Sequence, residues 1–392
     1  MQYYARMTVQ AHHHQHEQWL LEVTAIPTAA GREQRIIAWV KTWVKARRNL
    51  ALKEDKAGNL LITRKRGGNA KAVPKPLFIT AHLDHPAFVV HSIMGDDVLE
   101  LEFRGGVHDP YFENASIDVF DARDHPHRAT ITALDSTAKP FKRVKAWLST
   151  PSNAIAAGDI ARWAFENEQP LPRIENGLLY TQACDDLAAV AAALSALDAI
   201  RSRKGFEHVG VLLTRAEEIG FIGAIAACKL KSVSKQARLL CLENSRSFAE
   251  SPIGGGPIVR VGDKMSVFNP TITNLVSAIM MEHQKSRPDF KWQRKLMPGG
   301  TCEATTFSTY GYESTCLCLP LGNYHNMVDI DGVNAGKRPA KVGPEFISVE
   351  DYHGLIEMLI VCAEKMDFAD VPSLKTRMES LIKEHGDILR ER

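Results

Sequence analysis

The sequence predicts an α/β fold, a mixed and mostly parallel sheet flanked by helices and interrupted by a small all-β insertion. Three observations predict it. Helical stretches alternate with short apolar runs in the first part of the chain. Between about 92 and 176 the texture changes to short alternating stretches, VLELEF, SIDVF, ATITAL and RVKAWL, separated by Gly, Asp and Pro. From Asp186 the alternation of helices and apolar strands resumes. The expected organisation is a discontinuous α/β domain, residues 1–91 and 177–392, with a β-barrel-like domain of residues 92–176 inserted in it.

Taken in order, the N-terminal His12, His13, His14 and His16 could bind a metal loosely, but a polar, poorly ordered chain end is the expectation. Residues 32–46 place Ile36, Val40, Trp43 and Val44 on one helical face. NLALKEDKAGNLLITRK reads as two strands joined by a turn at Lys56-Ala57-Gly58-Asn59. LFITA (77–81) is short and apolar, as a buried central strand is. Beyond the insertion, DLAAVAAALSALDAI reads as a helix, HVGVLLT (208–214) as a strand and IGFIGAIAACKL as a helix. LLCLE (239–243) and STCLCL (314–319) are further strands. Ser348 with Asp351 reads as a capping box opening a helix over 348–366.

Hydrophobic residues at 45% and charged residues at 24% are an ordinary globular balance, and a net charge of +2 favours neither nucleic acid nor an anionic membrane. No apolar run approaches the roughly 20 residues that span a bilayer. The first residues lack the apolar core of a secretory signal, so a cytoplasmic location is expected. Seven cysteines without a CxxC pair suit reduced, buried thiols, and Cys184, Cys316 and Cys318 read as packing residues.

In open α/β sheets, sites form outside the carboxyl ends of the strands. There, LFITA is followed by His82 and Asp84, HVGVLLT by Glu217 and Glu218, LLCL by Glu243 and STCLCLPLG by His325. Asp185 precedes the helix that begins near Asp186. Singly, each has an ordinary reading: a loop residue, a helix N-cap for Asp185 or Asp186, a solvated pair for Glu217 and Glu218. Together, carboxylates crowded on one rim repel unless cations neutralise them. Nitrogen and carboxylate donors without thiolates point to zinc or a related divalent ion, with cobalt and manganese as alternatives. Two His and three carboxylates exceed what one tetrahedral catalytic ion takes and suit two ions sharing one carboxylate. A further carboxylate is then needed to move the proton of the attacking water.

AHLDH (81–85), ACDDLAA (183–189), RAEEIGFIGA (215–224) and NYHN (323–326), in this order, resemble the co-catalytic zinc exopeptidase clan. Within it the chain is similar to the tetrahedral aminopeptidases, also called glutamyl or deblocking aminopeptidases and sometimes labelled endoglucanase-like. The opening LLEVTAIPTAAGREQRIIAWVKTWV, the segment FRGGVHDPYFENASIDVFD and the closing GGTCEATTFSTYG and FISVEDYHGLIEML extend the likeness over most of the chain. The resemblance implies His82 and Glu243 at one metal, Glu218 and His325 at the other, and Asp185 bridging. It also implies Glu217 as general base and acid, and Asp84 as the carboxylate accepting a hydrogen bond from the His82 ring. Glu243 stands where the family usually has Asp, His85-Pro86 replaces Glu-Ile, and DIDGVNAGKRPAKVGPE after His325 reads as an insertion at the rim.

The function expected is hydrolysis of N-terminal residues from short peptides by a two-zinc metalloaminopeptidase, a homo-oligomer by family likeness. A deacylase or carboxypeptidase of the same clan is the second reading. A non-catalytic metal-binding assembly protein is the third, and retention of Glu217 and Asp84 beside the ligand set argues against it. Aromatic residues are only 7%, and no aromatic platform for a cellulase is evident.

Overall fold

The computed structural model describes residues 2–65, 74–165, 168–367 and 374–390. The chain opens with helix α1 (Gln2–Ala25) and α2 (Gln34–Lys45), then strands β1 (Leu50–Glu54), β2 (Leu60–Arg64) and β3 (Leu77–His82). Six strands follow: β4 (Ala87–Ile93), β5 (Val98–Arg104), β6 (Ser116–Phe120), β7 (Pro126–Asp135), β8 (Lys142–Leu148) and β9 (Ile160–Trp163). After β10 (Arg173–Glu175) and β11 (Leu178–Thr181) come α3 (Leu187–Ile200), β12 (Val209–Thr214), α4 (Ile222–Leu230) and β13 (Arg238–Arg246). The rest is β14 (Ile258–Gly262), α5 (Pro270–Ser286), β15 (Gln293–Leu296), α6 (Glu303–Thr309), β16 (Glu313–Leu321), α7 (Ile330–Asn334), β17 (Glu345–Ser348), α8 (Val349–Lys365) and α9 (Leu374–His385).

The main sheet runs β1-β2-β12-β3-β13-β16-β14-β15. Its four central strands are parallel, while β2 meets β12 and β14 meets β16 antiparallel. Every residue of β3 and β12 is buried. This is why they read as continuous apolar runs: helices cover a parallel sheet on both faces, so alternation has no solvent side to report. Helix α3 is buried without interruption from Leu187 to Leu197. Its alanines let it lie close to α1, α8 and β3 at once, where larger side chains would force the layers apart. At the β1–β2 turn Gly58 holds φ at 86°, a conformation that L side chains adopt only with strain.

Strands β4 to β9 close into a barrel ordered β4-β5-β8-β7-β6-β9. Its centre is aromatic: Phe88 meets Trp163 edge-on at 4.7 Å, and Phe103 meets Phe112 at 4.9 Å. Such pairs contribute about 0.5–1.5 kcal/mol each beyond the area they bury. The barrel begins at Ala87, ahead of the boundary expected at 92. It does not extend to 176: β10 and β11 leave it and pair with β17 in a separate sheet.

Two local expectations are corrected. The chain end expected to be poorly ordered is helix α1, which buries His16, Trp19, Leu20 and Val23. Ser348 does cap α8 by accepting from the Asp351 N–H at 3.2 Å, but Asp351 does not return the bond. Its carboxylate accepts instead from Gly254 and Gly256, 2.7 and 2.8 Å away, so the segment before β14 takes the oxygen that a capping box would use. All seven cysteines are buried and unpaired, as their spacing implied.

Candidate metal centre

The strands that supply the expected site residues, β12, β3, β13 and β16, are consecutive neighbours in the sheet. His82 ends β3, Glu217 and Glu218 follow β12, Glu243 lies in β13, and His325 follows β16. Asp185 comes from the turn between β11 and α3. Parallel strands end on the same edge, so positions far apart in sequence converge there.

Asp185 is the centre of the arrangement. Its Oδ1 lies 3.3 Å from His82 Nε2 and its Oδ2 lies 3.3 Å from His325 Nε2. Around His82 Nε2 stand Glu243 Oε1 at 3.9 Å and Glu217 Oε2 at 4.0 Å. Glu218 Oε1 lies 3.5 Å from His325 Nε2. Ligand atoms close enough to share an ion form three groups among the described residues: His82 with Asp185, Asp186 and Glu243; His82 with Glu217 and Glu218; and Asp185 with Glu218 and His325. Six of the seven residues expected at the site, all but Asp84, fall in these groups, and Asp186 joins them.

The electrostatics are those of a site meant to hold positive charge. Burial raises Glu243 and Glu217 well above ordinary carboxylate values, and neighbouring carboxylates add to the effect. Burial likewise pushes Glu218 up to about 7. Burial opposes charge on His325, but Glu218 and Asp185 outweigh it and lift the ring to about 10. His82 is raised in the same way, burial being overcome by Glu217, Asp185 and Asp84. Asp185, although buried, is held below the usual carboxylate range by His325 and His82. Asp185 Oδ1 and Glu218 Oε1 are buried with no hydrogen-bond partner among the described residues. Buried acceptors left without donors, beside imidazole nitrogens and without thiolates, fit divalent cations of the zinc type.

Asp84 does something other than expected. The His82 Nδ1 atom meets the Asp84 main-chain oxygen at 3.1 Å, while the Asp84 carboxylate is 3.6 Å away. That carboxylate accepts from the N–H groups of Glu217 and Glu218, at 2.9 and 3.0 Å. Asp84 thus orients the glutamates through its carboxylate and the ring through its main-chain oxygen. Glu33 secures the start of the same loop, accepting from Ala216 N at 3.1 Å and pairing with Arg215 at 2.6 Å. Gly223 closes the loop: a Cβ there would stand 2.2 Å from the Arg215 oxygen.

Sequence reasoning missed other residues. Glu345, fully buried, accepts from Cys184 N at 2.7 Å, Asp185 N at 3.0 Å and His325 N at 2.8 Å. It sets the backbone of two site residues from inside the stretch that reads as an insertion. Asp186 is not a side-chain cap; its carboxylate accepts from His82 N at 3.2 Å and from Asn244 Nδ2 at 2.9 Å. Tyr324 stacks on the His325 ring with centroids 3.8 Å apart. Of these, Asp186 and Tyr324 stood in recognisable motifs, whereas Glu345 had no local signal. His85, in place of the usual Glu, contacts the Asp185 carbonyl through Nδ1 and Asn326 Oδ1 through Nε2 at 3.1 Å.

A cleft of about 460 Å³ opens beside Glu243 and His325, with Arg246, Arg260, Phe248 and Tyr324 among its walls. Its outer side is α7 and its flanks. Asn334 meets His108 at 3.0 Å, the Tyr111 hydroxyl donates to the Val328 carbonyl at 2.8 Å, and Asp331 pairs with Arg246. The insertion-like stretch therefore ties the barrel to the rim of the cleft.

The sequence model of the family described as M42 glutamyl aminopeptidase matches residues 150–338. This match bears out the resemblance read from the motifs and the reading of the chain as a metal-dependent hydrolase of the aminopeptidase kind. No curated protein matches the sequence. Among solved structures, a TET1 peptidase of Pyrococcus horikoshii, reported to assemble into a tetrahedron or a large octahedral shell, superposes with a TM-score of 0.70 at 17% identity over 89% of this chain and 99% of that one. A TET aminopeptidase from a marine-sediment Thaumarchaeota archaeon gives 0.70 at 18% identity, over 90% and 98%. A Thermotoga maritima protein labelled endoglucanase gives 0.60 at 17%, over 88% and 97%. At these identities the structures establish a shared α/β fold. No helix among the described residues is long and apolar enough to cross a membrane.

Proposed function

We propose, taking the glutamyl aminopeptidase match over residues 150–338 as the premise, that the chain is a two-zinc aminopeptidase removing N-terminal residues from short peptides. The observation that carries this reading is the placement of Asp185 between two histidines, one carboxylate oxygen 3.3 Å from each. His82 and Glu243 would hold one ion, Glu218 and His325 the other, and Asp185 both. Bound there, two divalent ions would polarise the scissile carbonyl and make water a competent nucleophile near neutral pH.

The chain's own groups do the rest. Glu217 is buried and fixed through its backbone by Asp84, with its carboxylate facing the side of His82 away from the main chain. It takes a proton from the attacking water and returns it to the leaving amine. The cleft beside Glu243 and His325 receives the N-terminal residue, and burial of the whole cluster excludes bulk water. Strands β4 to β9 form the inserted domain, and the chain works as a homo-oligomer, as the TET peptidases do.

Glu217→Gln keeps the carboxylate's shape and removes its basicity. It should bind two equivalents of zinc by elemental analysis and lose about 10²–10⁴-fold in kcat. Full turnover by the zinc-loaded variant would reject Glu217 as the base. The presence of Glu243 where Asp is usual favours a deacylase or carboxypeptidase as the second reading. Comparing a free-amine peptide with its N-acetylated counterpart separates the two, since only an aminopeptidase requires the free amine.

A further inference from the structure

Helix α9 and the 3₁₀ turn after it, Gly386–Arg390, carry an apolar stripe that nothing in the described chain covers. Met378, Leu381 and Ile382 lie at helical spacing on one face, followed by Ile388 and Leu389, and all five are between 44% and 81% exposed. A helix of 12 residues is marginal in water on its own, and most helices owe their stability to burying one face. The stripe lies beyond the stretch matched by the peptidase family, which ends at 338.

The charges beside the stripe indicate the occupant. Arg377 and Glu384 are seven residues apart, so they line the same flank two turns from each other. Arg377 makes no ion pair among the described residues. If α9 packs antiparallel on α9 of a second copy with Met378 against Leu381, like flanks face one another. Arg377 of each copy then meets Glu384 of the other, giving two identical ion pairs around a two-fold axis. A parallel pairing would instead set Arg377 and Glu384 against Ile382 and Leu389. The sequence thus suits self-association in one orientation.

We propose that α9 is an assembly helix that pairs antiparallel with α9 of a second copy of this chain. The proposal stands independently of the catalytic reading. It is tested by light scattering on full-length protein, with chains of 43.5 kDa. Wild type should have an even number of chains. Leu381→Glu with Ile382→Glu should reduce the mass to half or less. Arg377→Glu should weaken association at least tenfold, and Arg377→Glu with Glu384→Arg should restore it. A monomeric wild type, or a mass unchanged by the double glutamate variant, would overturn the proposal. So would failure of the charge-swapped variant to recover, because that recovery is specific to the antiparallel register. Two other occupants would show themselves differently and would equally reject it. Cover by the chain's own body would lower the melting temperature of the double glutamate variant at constant mass. Cover by lipid would make wild type, but not that variant, sediment with phosphatidylglycerol vesicles.

Discussion

At the residue scale, the site depends on carboxylates that never touch a substrate. Glu345 receives three backbone N–H groups, two of them from Asp185 and His325. Glu345→Gln keeps the volume but turns one acceptor oxygen into a donor facing N–H groups, so zinc affinity should fall about 10–100-fold in calorimetric titration. Glu303 offers a pH test. It is buried at the start of α6 with Oε1 unpartnered among the described residues, and burial pushes its carboxyl to about 7. An unfolded glutamate titrates near 4.3. Between those values the folded chain holds a proton that the unfolded chain has released, so this group's contribution to stability is full below about pH 4 and is lost as pH rises through about 7. Glu303→Gln removes that loss. In metal-free protein, urea unfolding should show the variant gaining on wild type by about 3 kcal/mol from pH 4 to pH 8, the free-energy equivalent of the shift. A constant difference across that range would mean that Glu303 titrates normally in the fold.

At the element scale, the loop between β12 and α4 links backbone geometry to chemistry. Gly223 lies so close to Arg215 that a methyl group would displace the main chain just ahead of Glu217. Gly223→Ala should cost about 1–3 kcal/mol in denaturant unfolding. It should also lower kcat with zinc still bound, because Glu217 moves with the loop. The same scale shows what could be read beforehand. Strands β3 and β12 and the runs in β13 and β16 were visible as apolar stretches, and the polar residues after them marked the rim of the sheet. The Glu33 and Asp84 contacts to the 216–218 backbone were not visible. Hydrophobic periodicity reports which face is buried, whereas a carboxylate accepting remote N–H groups leaves no periodic trace. Glu345 was hidden for that reason. It reaches Asp185 only because β17 pairs with β11, with Thr181 opposite Glu345. Helix α1 was misread because its buried Trp19, Leu20 and Val23 come after a histidine-rich, polar beginning.

At the scale of the whole molecule, a cluster of buried carboxyl groups is costly to ionise, and bound cations would offset that cost. Zinc at a hundred times its dissociation constant should raise stability by about 2.7 kcal/mol, and chelation should reverse the gain. His82→Ala with His325→Ala should abolish most of the zinc-induced rise in melting temperature; an undiminished rise would place the stabilising ions elsewhere. The sheet order also bears on synthesis. The strands that meet at the site are contributed at widely separated points of translation, and β17 is the last of them. Until that strand emerges and pairs with β11, Asp185 lacks the clamp that sets its backbone. A ribosome-bound chain should therefore carry no peptidase activity and little appetite for zinc until β17 has emerged, a built-in delay on proteolysis during its own birth.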